Sequence, residues 1–138
     1  MWVQPTGSYA SSTVFFVSAG WCVYFLSMNS SGNIMANLWN GGPVYVAGPI
    51  LPLNSWNHIG YTYSTTYGIR LYINGTLYST SGAFSYSASG TLAQIVLAGN
   101  LGIGCSPGYG GPFTGALDEF YIYSRELTAS QILTLANP

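Results

Sequence analysis

The acidic side chains of this chain are few, and their spacing bears on whether it can hydrolyse a glycosidic bond. Asp118, Glu119 and Glu126 are its three acidic residues. Glycosidases place two carboxyl groups about 5–10 Å apart on either side of a sugar. Asp118 and Glu119 are adjacent in a predicted strand, so their side chains point to opposite faces, and Glu126 lies beyond that strand. The pattern therefore argues against a glycosidase.

Asp118 is the acidic residue that could serve as a metal ligand. The strand pattern places it on the face shared with Phe120 and Ile122, which predicts that it points inward. A buried carboxylate there could accept backbone N–H bonds or contribute to a Ca²⁺ site, although calcium takes several oxygen ligands, often from more than one carboxylate. Both interpretations stay open, and we expect no other cofactor.

His58, Cys22 and Cys105 complete the set of nucleophilic and metal-binding side chains. A Cys–His pair needs contact and an orienting group, and a structural zinc site needs four ligands. Nothing in the local sequence supports either, so we expect no catalytic residue and a structural His58 that is hydrogen-bonded near the core. Cys22 and Cys105 could form a disulfide that contributes about 4–5 kcal/mol in the chain-entropy model, or remain buried thiols.

Two Asn-x-Ser/Thr sequences could accept an N-linked sugar. They begin at Asn29 and Asn74, and both fall in predicted turns, where an acceptor must be accessible. Sugar attached at these sites would supply the solubility that the few charged residues do not.

Aromatic residues in or near predicted loops are the candidates for ligand binding. These are Trp39, Tyr45 and Tyr109. A tyrosine has an apolar ring and a polar tip, which suits a sugar or a protein interface. Ordinary cross-strand packing is the alternative for many of the tyrosines.

The scarcity of charge limits the partners that this chain can have. Charged residues make up 4% of it, against about 25% in an ordinary domain. Two basic residues cannot neutralise a nucleic-acid backbone, and no apolar run is long enough for a membrane-spanning helix. A surface with so few charges does little to repel a neighbour. We therefore expect it to be covered by other subunits, by sugar or by the rest of a larger protein.

Short strands separated by turn residues predict an all-β fold. The candidate strands are 14–17, 22–27, 33–39, 44–47, 56–63, 69–73, 76–79, 95–97 and 117–123. Asn74 and Gly75 lie between two alternating runs, which predicts a type I′ hairpin turn.

One helix is predicted at the C-terminus, from about Ala129 to Ala136. Thr128 and Gln131 have the spacing of a capping box. Leu127 and Ile132 occupy the two positions of a hydrophobic staple. One apolar face of this helix should pack on the sheets.

Three segments in order resemble the laminin-G-like, concanavalin A-like group of jelly rolls. They are residues 53–59 (LNSWNHI), 71–75 (LYING) and 113–128 (FTGALDEFYIYSRELT). The resemblance implies a single domain over residues 1–138, built as an antiparallel two-sheet jelly-roll sandwich with a short C-terminal helix. That fold hosts lectins, adhesion modules, toxin domains and glycosidases. The acidic motif of the related glucanases is absent.

The composition and the resemblance together lead to two candidate functions from different classes. The first is a non-catalytic extracellular or cell-surface structural module that packs against copies of itself or another part of a larger protein, in a filament or surface layer. The second is a lectin-like module that holds carbohydrate by stacking.

The start of the chain differs from the resembled family, which usually has further strands before Trp2. A sheet that lacks a strand exposes unpaired backbone groups. We therefore expect a β-segment from another subunit, or from an upstream part, to complete the sheet. Such assembly should depend little on salt.

Overall fold

A computed structural model describes residues 1–7, 12–18, 22–86, 94–97 and 111–138. These residues form two β-sheets and one helix, as predicted. The elements are β1 (Trp2–Pro5), β2 (Ser12–Ser18), β3 (Cys22–Met28), β4 (Asn33–Trp39), β5 (Pro43–Ile50), β6 (Asn57–Ser64), β7 (Gly68–Ile73), β8 (Thr76–Thr80), β9 (Gln94–Leu97), β10 (Gly111–Pro112), β11 (Gly115–Asp118) and α1 (Ala129–Leu135). Among the described residues, no helix is long and apolar enough to cross a membrane.

The strands form two sheets, which we call sheet 1 and sheet 2. Sheet 1 has the order β11-β1-β6-β7-β8, and its pairs are antiparallel. Sheet 2 has the order β10-β2-β3-β4-β5, with β9 also paired to β2. The short strand β10 runs parallel to β2, whereas the other pairs of sheet 2 are antiparallel. The arrangement confirms the predicted jelly-roll sandwich.

The core lies between the two sheets and follows from the alternation of each strand. Along β4, Ile34, Ala36 and Leu38 are buried and their neighbours are not. They pack with Ile69 and Leu71 of β7 in one apolar cluster. Burying side chains of this size contributes about 1.5–3 kcal/mol each for Leu or Ile. This alternation sends the odd-numbered residues of β4 to the outer face of sheet 2.

The β7–β8 hairpin has the predicted turn. Asn74 and Gly75 both have positive φ, at 49° and 81°, as a type I′ turn requires. Gly75 is needed for a second reason, because a Cβ at that position would lie 2.7 Å from Cδ1 of Leu133 in the helix. The turn therefore also packs against α1.

The helix α1 packs on the outer face of sheet 1. Its capping box is present: Thr128 Oγ1 accepts from Gln131 N, and Gln131 Oε1 accepts from Thr128 N. Ile132 joins Leu127 and Tyr72 in a second apolar cluster. The helix ends at Leu135, one residue earlier than predicted.

The last predicted strand is shorter in the structure than the sequence pattern indicates. We predicted a strand over residues 117–123, but β11 ends at Asp118. The next residue, Glu119, has φ 47°, which is incompatible with continuing a β-strand. Similarly, we predicted a strand over residues 56–63, but β6 begins at Asn57, so Trp56 precedes it and is exposed.

Candidate functional site

Two of the predicted ligand-binding residues lie on the outer face of the β4–β5 hairpin. Trp39 ends β4 and is 38% exposed, and Tyr45 lies within β5 and is 61% exposed. The strands pair antiparallel, with Asn37 opposite Tyr45 and Trp39 opposite Pro43. Both aromatic side chains thus project from the same outer surface of sheet 2, which we call the Trp39–Tyr45 face.

The register makes the two aromatic residues diagonal neighbours. Trp39 lies two residues after Asn37, the cross-strand partner of Tyr45. Diagonal neighbours of this kind are separated by about 7–8 Å. Asn37 is the polar residue next to both, and its Nδ2 donates to Ser27 Oγ of β3 at 3.3 Å and to Met35 O at 3.4 Å. The face therefore combines two rings with an oriented amide.

The turn beside this face leaves open space. Asn40 N donates to Gly42 O at 2.8 Å, and Gly41 has φ 65°. No atom lies within 4 Å of the position that a Cβ would take at Gly41 or Gly42. The described residues thus leave room for a ligand at the end of the hairpin.

The tyrosines of β6 are structural, because the fold uses their hydroxyl groups. Tyr61 Oη donates to Asn37 O at 2.8 Å, which links sheet 1 to sheet 2. Tyr63 Oη donates to Phe84 O at 3.0 Å and accepts from Tyr86 N at 2.6 Å. Burial raises the pKa of Tyr61 well above its usual value, and the nearby hydroxyls of Tyr86 and Tyr63 raise it further.

His58 is buried against Trp2 and held by the hairpin turn. It is 3% exposed, and its ring meets the Trp2 ring edge-on at 5.3 Å. Its backbone N donates to Asn74 Oδ1 at 2.8 Å. Burial, and to a lesser degree the positive N-terminus, lower the pKa of His58 to about 4. We expected His58 to be hydrogen-bonded near the core; its backbone N–H is, whereas its ring Nδ1 has no partner among the described residues.

Asp118 does not point inward, so that prediction is wrong. Leu117 is the β11 residue that packs on the core, and alternation therefore sends Asp118 outward, where it is exposed. Its Oδ1 accepts from Glu119 N at 2.7 Å. In the part of the chain that the structure describes, no three His, Cys, Asp or Glu side chains are grouped so that they could hold a metal.

The third acidic residue, Glu126, is held by contacts on the outer face of sheet 1. Its Oε1 lies 3.7 Å from Arg70 Nη1 and accepts from Thr62 Oγ1 at 3.2 Å. The Arg70 guanidinium in turn lies 3.5 Å from the centre of the Tyr67 ring. The carboxylate of Glu126 is therefore held by an ion pair and a hydrogen bond on the outer face of sheet 1.

Both candidate glycosylation residues lie in turns, as predicted, and each amide has a structural contact. Asn29 Oδ1 accepts from Ser31 N and Asn33 N, both at 3.0 Å. Asn74 Nδ2 donates to Asn57 Oδ1 at 3.4 Å, while its oxygen holds His58. Their occupancy by sugar stays a prediction.

Three other predicted residues lie wholly or partly outside the described residues. Tyr109 and Cys105 lie outside the described residues. Cys22 begins β3, but its side chain also lies outside the description. The Cys22–Cys105 disulfide and a ligand contact by Tyr109 therefore stay predictions.

Comparison with known proteins agrees with the sandwich architecture. The Laminin_G_3 family model, described as the concanavalin A-like lectin/glucanases superfamily, matches residues 1–133. No curated protein matches the chain.

Two solved structures are similar to this chain. Domain 4 of AbnA, a GH43 extracellular arabinanase from Geobacillus stearothermophilus solved with arabinotriose, has TM-score 0.63 and 22% identity, over 99% of this chain and 64% of that one. An S-layer domain-containing protein from Clostridium thermocellum has TM-score 0.49 and 24% identity, over 98% of this chain and 63% of that one. This chain thus spans less than two thirds of either solved chain. With the family match over residues 1–133, the chain belongs to the laminin-G-like family of the concanavalin A-like lectin/glucanase superfamily.

Proposed function

We propose that this protein is a non-catalytic extracellular module that binds neutral carbohydrate on the Trp39–Tyr45 face. The observation that carries the proposal is the diagonal pair of exposed rings on one strand pair, with the amide of Asn37 beside them. Sugars offer apolar C–H faces that pack on aromatic rings, and hydroxyl groups that hydrogen-bond to amides. Asn37 stands where it could contact such hydroxyls.

The distribution of charge favours an uncharged sugar. The chain has two basic residues and no more. Arg70 is paired with Glu126 on sheet 1, and Arg125 lies next to α1, where it donates to Gln131. Neither cation belongs to the β4–β5 hairpin, so an acidic polysaccharide would find no counter-charge there. A neutral pentose or hexose polymer fits the face better.

The similarity to AbnA domain 4 supports this ligand class, because that domain was solved with arabinotriose. AbnA is an extracellular enzyme, which agrees with the extracellular location that we propose. A non-catalytic role is supported by the positions of the acids, since Glu126 is bound to Arg70 and Asp118 to a backbone N–H.

The proposal is tested by glycan-array screening followed by calorimetry with the sugars found. Replacing Trp39 or Tyr45 by alanine should weaken binding by about tenfold or more, because each change removes a stacking surface. Tyr78→Ala is the matched control, since Tyr78 is 56% exposed on β8 of the other sheet. Binding should be the same with calcium and with a chelator.

Two results would contradict the carbohydrate proposal. One is that no neutral glycan binds under either condition. The other is that Trp39→Ala binds as tightly as Tyr78→Ala, with circular dichroism confirming that both variants are folded.

Self-association is a second candidate function, favoured by a different observation. Tyr121, Ile122 and Tyr123 are 57%, 61% and 45% exposed in one continuous run, although such residues favour strands and interfaces. The low charge of the chain would not oppose contact between copies. A filament or surface layer built from this domain, alone or within a larger protein, would bury that run.

A further inference from the structure

The β4–β5 hairpin carries the same kind of residue pair twice. Asn37 of β4 lies opposite Tyr45 of β5, and Asn33 lies opposite Ile50. Tyr45 is 61% exposed and Ile50 is 52% exposed. Each pair therefore joins a carboxamide to a large apolar side chain that water surrounds. The two amides are four residues apart on one strand, which corresponds to about 13 Å.

Both pairs lie on the outer face of sheet 2. Ile34 and Ala36, the even-numbered residues between the two amides, are buried in the core, so alternation sends Asn33 and Asn37 outward. Residues directly opposite each other on paired strands share a face. The register of the hairpin shifts between Asn33 and Met35, and this shift brings the exposed Ile50 to the same face as Tyr45.

The surface between and beyond the two pairs is open. Ala47, which lies opposite Met35 between the pairs, is exposed, and its methyl group is too small to form a wall. At the Trp39 end, no atom lies within 4 Å of the position that a Cβ would take at Gly41 or Gly42. We call this outer surface, from the Trp39 end to the Asn33–Ile50 pair, the hairpin strip. It is about 20 Å long, as six residue steps of a strand are.

The two amides of the hairpin strip present their oxygen atoms to a ligand. Asn33 Nδ2 donates to Gly48 O at 3.0 Å, and Asn37 Nδ2 is bound to Ser27 and Met35. Among the described residues, neither amide oxygen accepts a hydrogen bond, so each is able to accept one from a hydroxyl group. Neither β4 nor β5 contains a charged residue. The strip therefore suits an uncharged ligand with hydroxyl donors.

We propose that the hairpin strip binds the interior of a linear neutral polysaccharide, which lies along β4 and β5 and contacts the Asn37–Tyr45 and Asn33–Ile50 pairs with successive parts of its chain. A repeated pair on the protein fits a ligand that itself repeats, and a surface open at both ends lets the chain continue in both directions. The inference rests on the proposed carbohydrate binding and adds a second contact, at Asn33 and Ile50.

The dependence of affinity on chain length tests the proposal. The probes for calorimetry are linear arabino-, xylo- and cello-oligosaccharides of two, four and six sugar residues. In the series that binds, the dissociation constant should fall by about tenfold or more from the disaccharide to the hexasaccharide, because the shorter sugar reaches one pair and the longer one reaches both.

A single substitution separates the two pairs. Ile50→Ala should weaken hexasaccharide binding by about fivefold or more and leave disaccharide binding unchanged, whereas Tyr45→Ala should weaken both. Leu77→Ala is the matched control, since Leu77 is 46% exposed on β8 of the other sheet. Circular dichroism establishes that each variant is folded.

Binding to a polymer distinguishes the interior of a chain from its ends. With the linear polysaccharide of the series that binds, at a known length, calorimetry should give several protein copies per polymer chain. One copy per chain, a disaccharide that binds as tightly as the hexasaccharide, or an Ile50→Ala variant with wild-type hexasaccharide affinity would overturn this inference while the Trp39–Tyr45 face stands. Failure to bind any of the three series or any neutral glycan on the array would overturn both.

Discussion

His58 is the one histidine of the chain, and the fold keeps it neutral. Its ring lies against Trp2, and Nδ1 lacks a partner among the described residues, so a proton there would be neither solvated nor paired. The folded pKa is about 4, against an ordinary value of 6.5. The unfolded chain therefore takes up a proton at a higher pH than the folded one does.

The free energy of unfolding should fall as pH drops from 6.5 through about 4. The contribution of neutral His58 is complete above pH 6.5 and is lost as the unfolded state gains its proton first. The difference between the two pKa values corresponds to roughly 3 kcal/mol in the free energy of unfolding. Urea unfolding at several pH values measures it. His58→Gln is the control, and its free energy of unfolding should depend less on pH above the range where carboxylates titrate. If the wild type depended on pH as little as the variant does, the lowered pKa of His58 would be contradicted.

At the scale of the elements, the contact between α1 and sheet 1 depends on Gly60. A Cβ at this position would lie 2.9 Å from Cγ2 of Ile132 and 3.2 Å from Cβ of Tyr72. Both neighbours are buried and belong to one apolar cluster. The helix can lie this close to β6 because residue 60 has no side chain.

Gly60→Ala should destabilise the fold by about 1–3 kcal/mol, because the added methyl group overpacks the helix contact. In the background of Ile132→Ala the same change should cost much less, since the colliding methyl group is gone. Gly42→Ala is the matched control, as nothing lies within 4 Å of its added Cβ. Chemical denaturation of the four variants of this cycle gives the coupling, and additive costs would show that α1 does not press on Gly60.

The sequence predicted the local elements better than their ends. The Asn74–Gly75 turn and the Thr128 capping box were predicted because neighbouring residues make all their defining contacts. The end of β11 was not predicted, because the aromatic run after it has strand propensity. The positive φ of Glu119, which ends the strand, cannot be read from the residue types. The outward turn of Asp118 follows from the packing of Leu117, a tertiary contact.

The candidate site, too, could be predicted only in part from the sequence. Trp39 and Tyr45 could be selected from the sequence as exposed aromatic residues, and both are exposed. Their diagonal placement around Asn37 depends on the register of the β4–β5 hairpin, which alternation alone does not specify. Asn37 was therefore not among the predicted site residues, although its place two positions before Trp39 on an alternating strand was a usable signal.

At the scale of the whole molecule, scarce charge means that the proposed association would depend on backbone hydrogen bonds and apolar contact. Charged residues are 4% of the chain, so long-range attraction contributes little to either proposed interaction.

The proposed self-association should therefore change by less than about tenfold between low and high salt, where the screening length falls to about 3 Å at 1 M. Urea should dissociate the associated copies, because it solvates both peptide and apolar groups. Light scattering across both titrations measures this. Dissociation by salt alone would show that ion pairs hold the copies together.

The hydrogen bond from Tyr61 to the Asn37 carbonyl has a thermodynamic consequence for the Trp39–Tyr45 face. It pins the middle of β4 from inside the sandwich, while the Asn37 amide is held from outside by Ser27 and Met35. The backbone of β4 that carries Trp39 is thus held by hydrogen bonds on both sides before any ligand arrives. A saccharide that binds there would lose its own freedom but would not have to order the protein, and preorganisation of this kind makes weak stacking contacts sufficient for recognition.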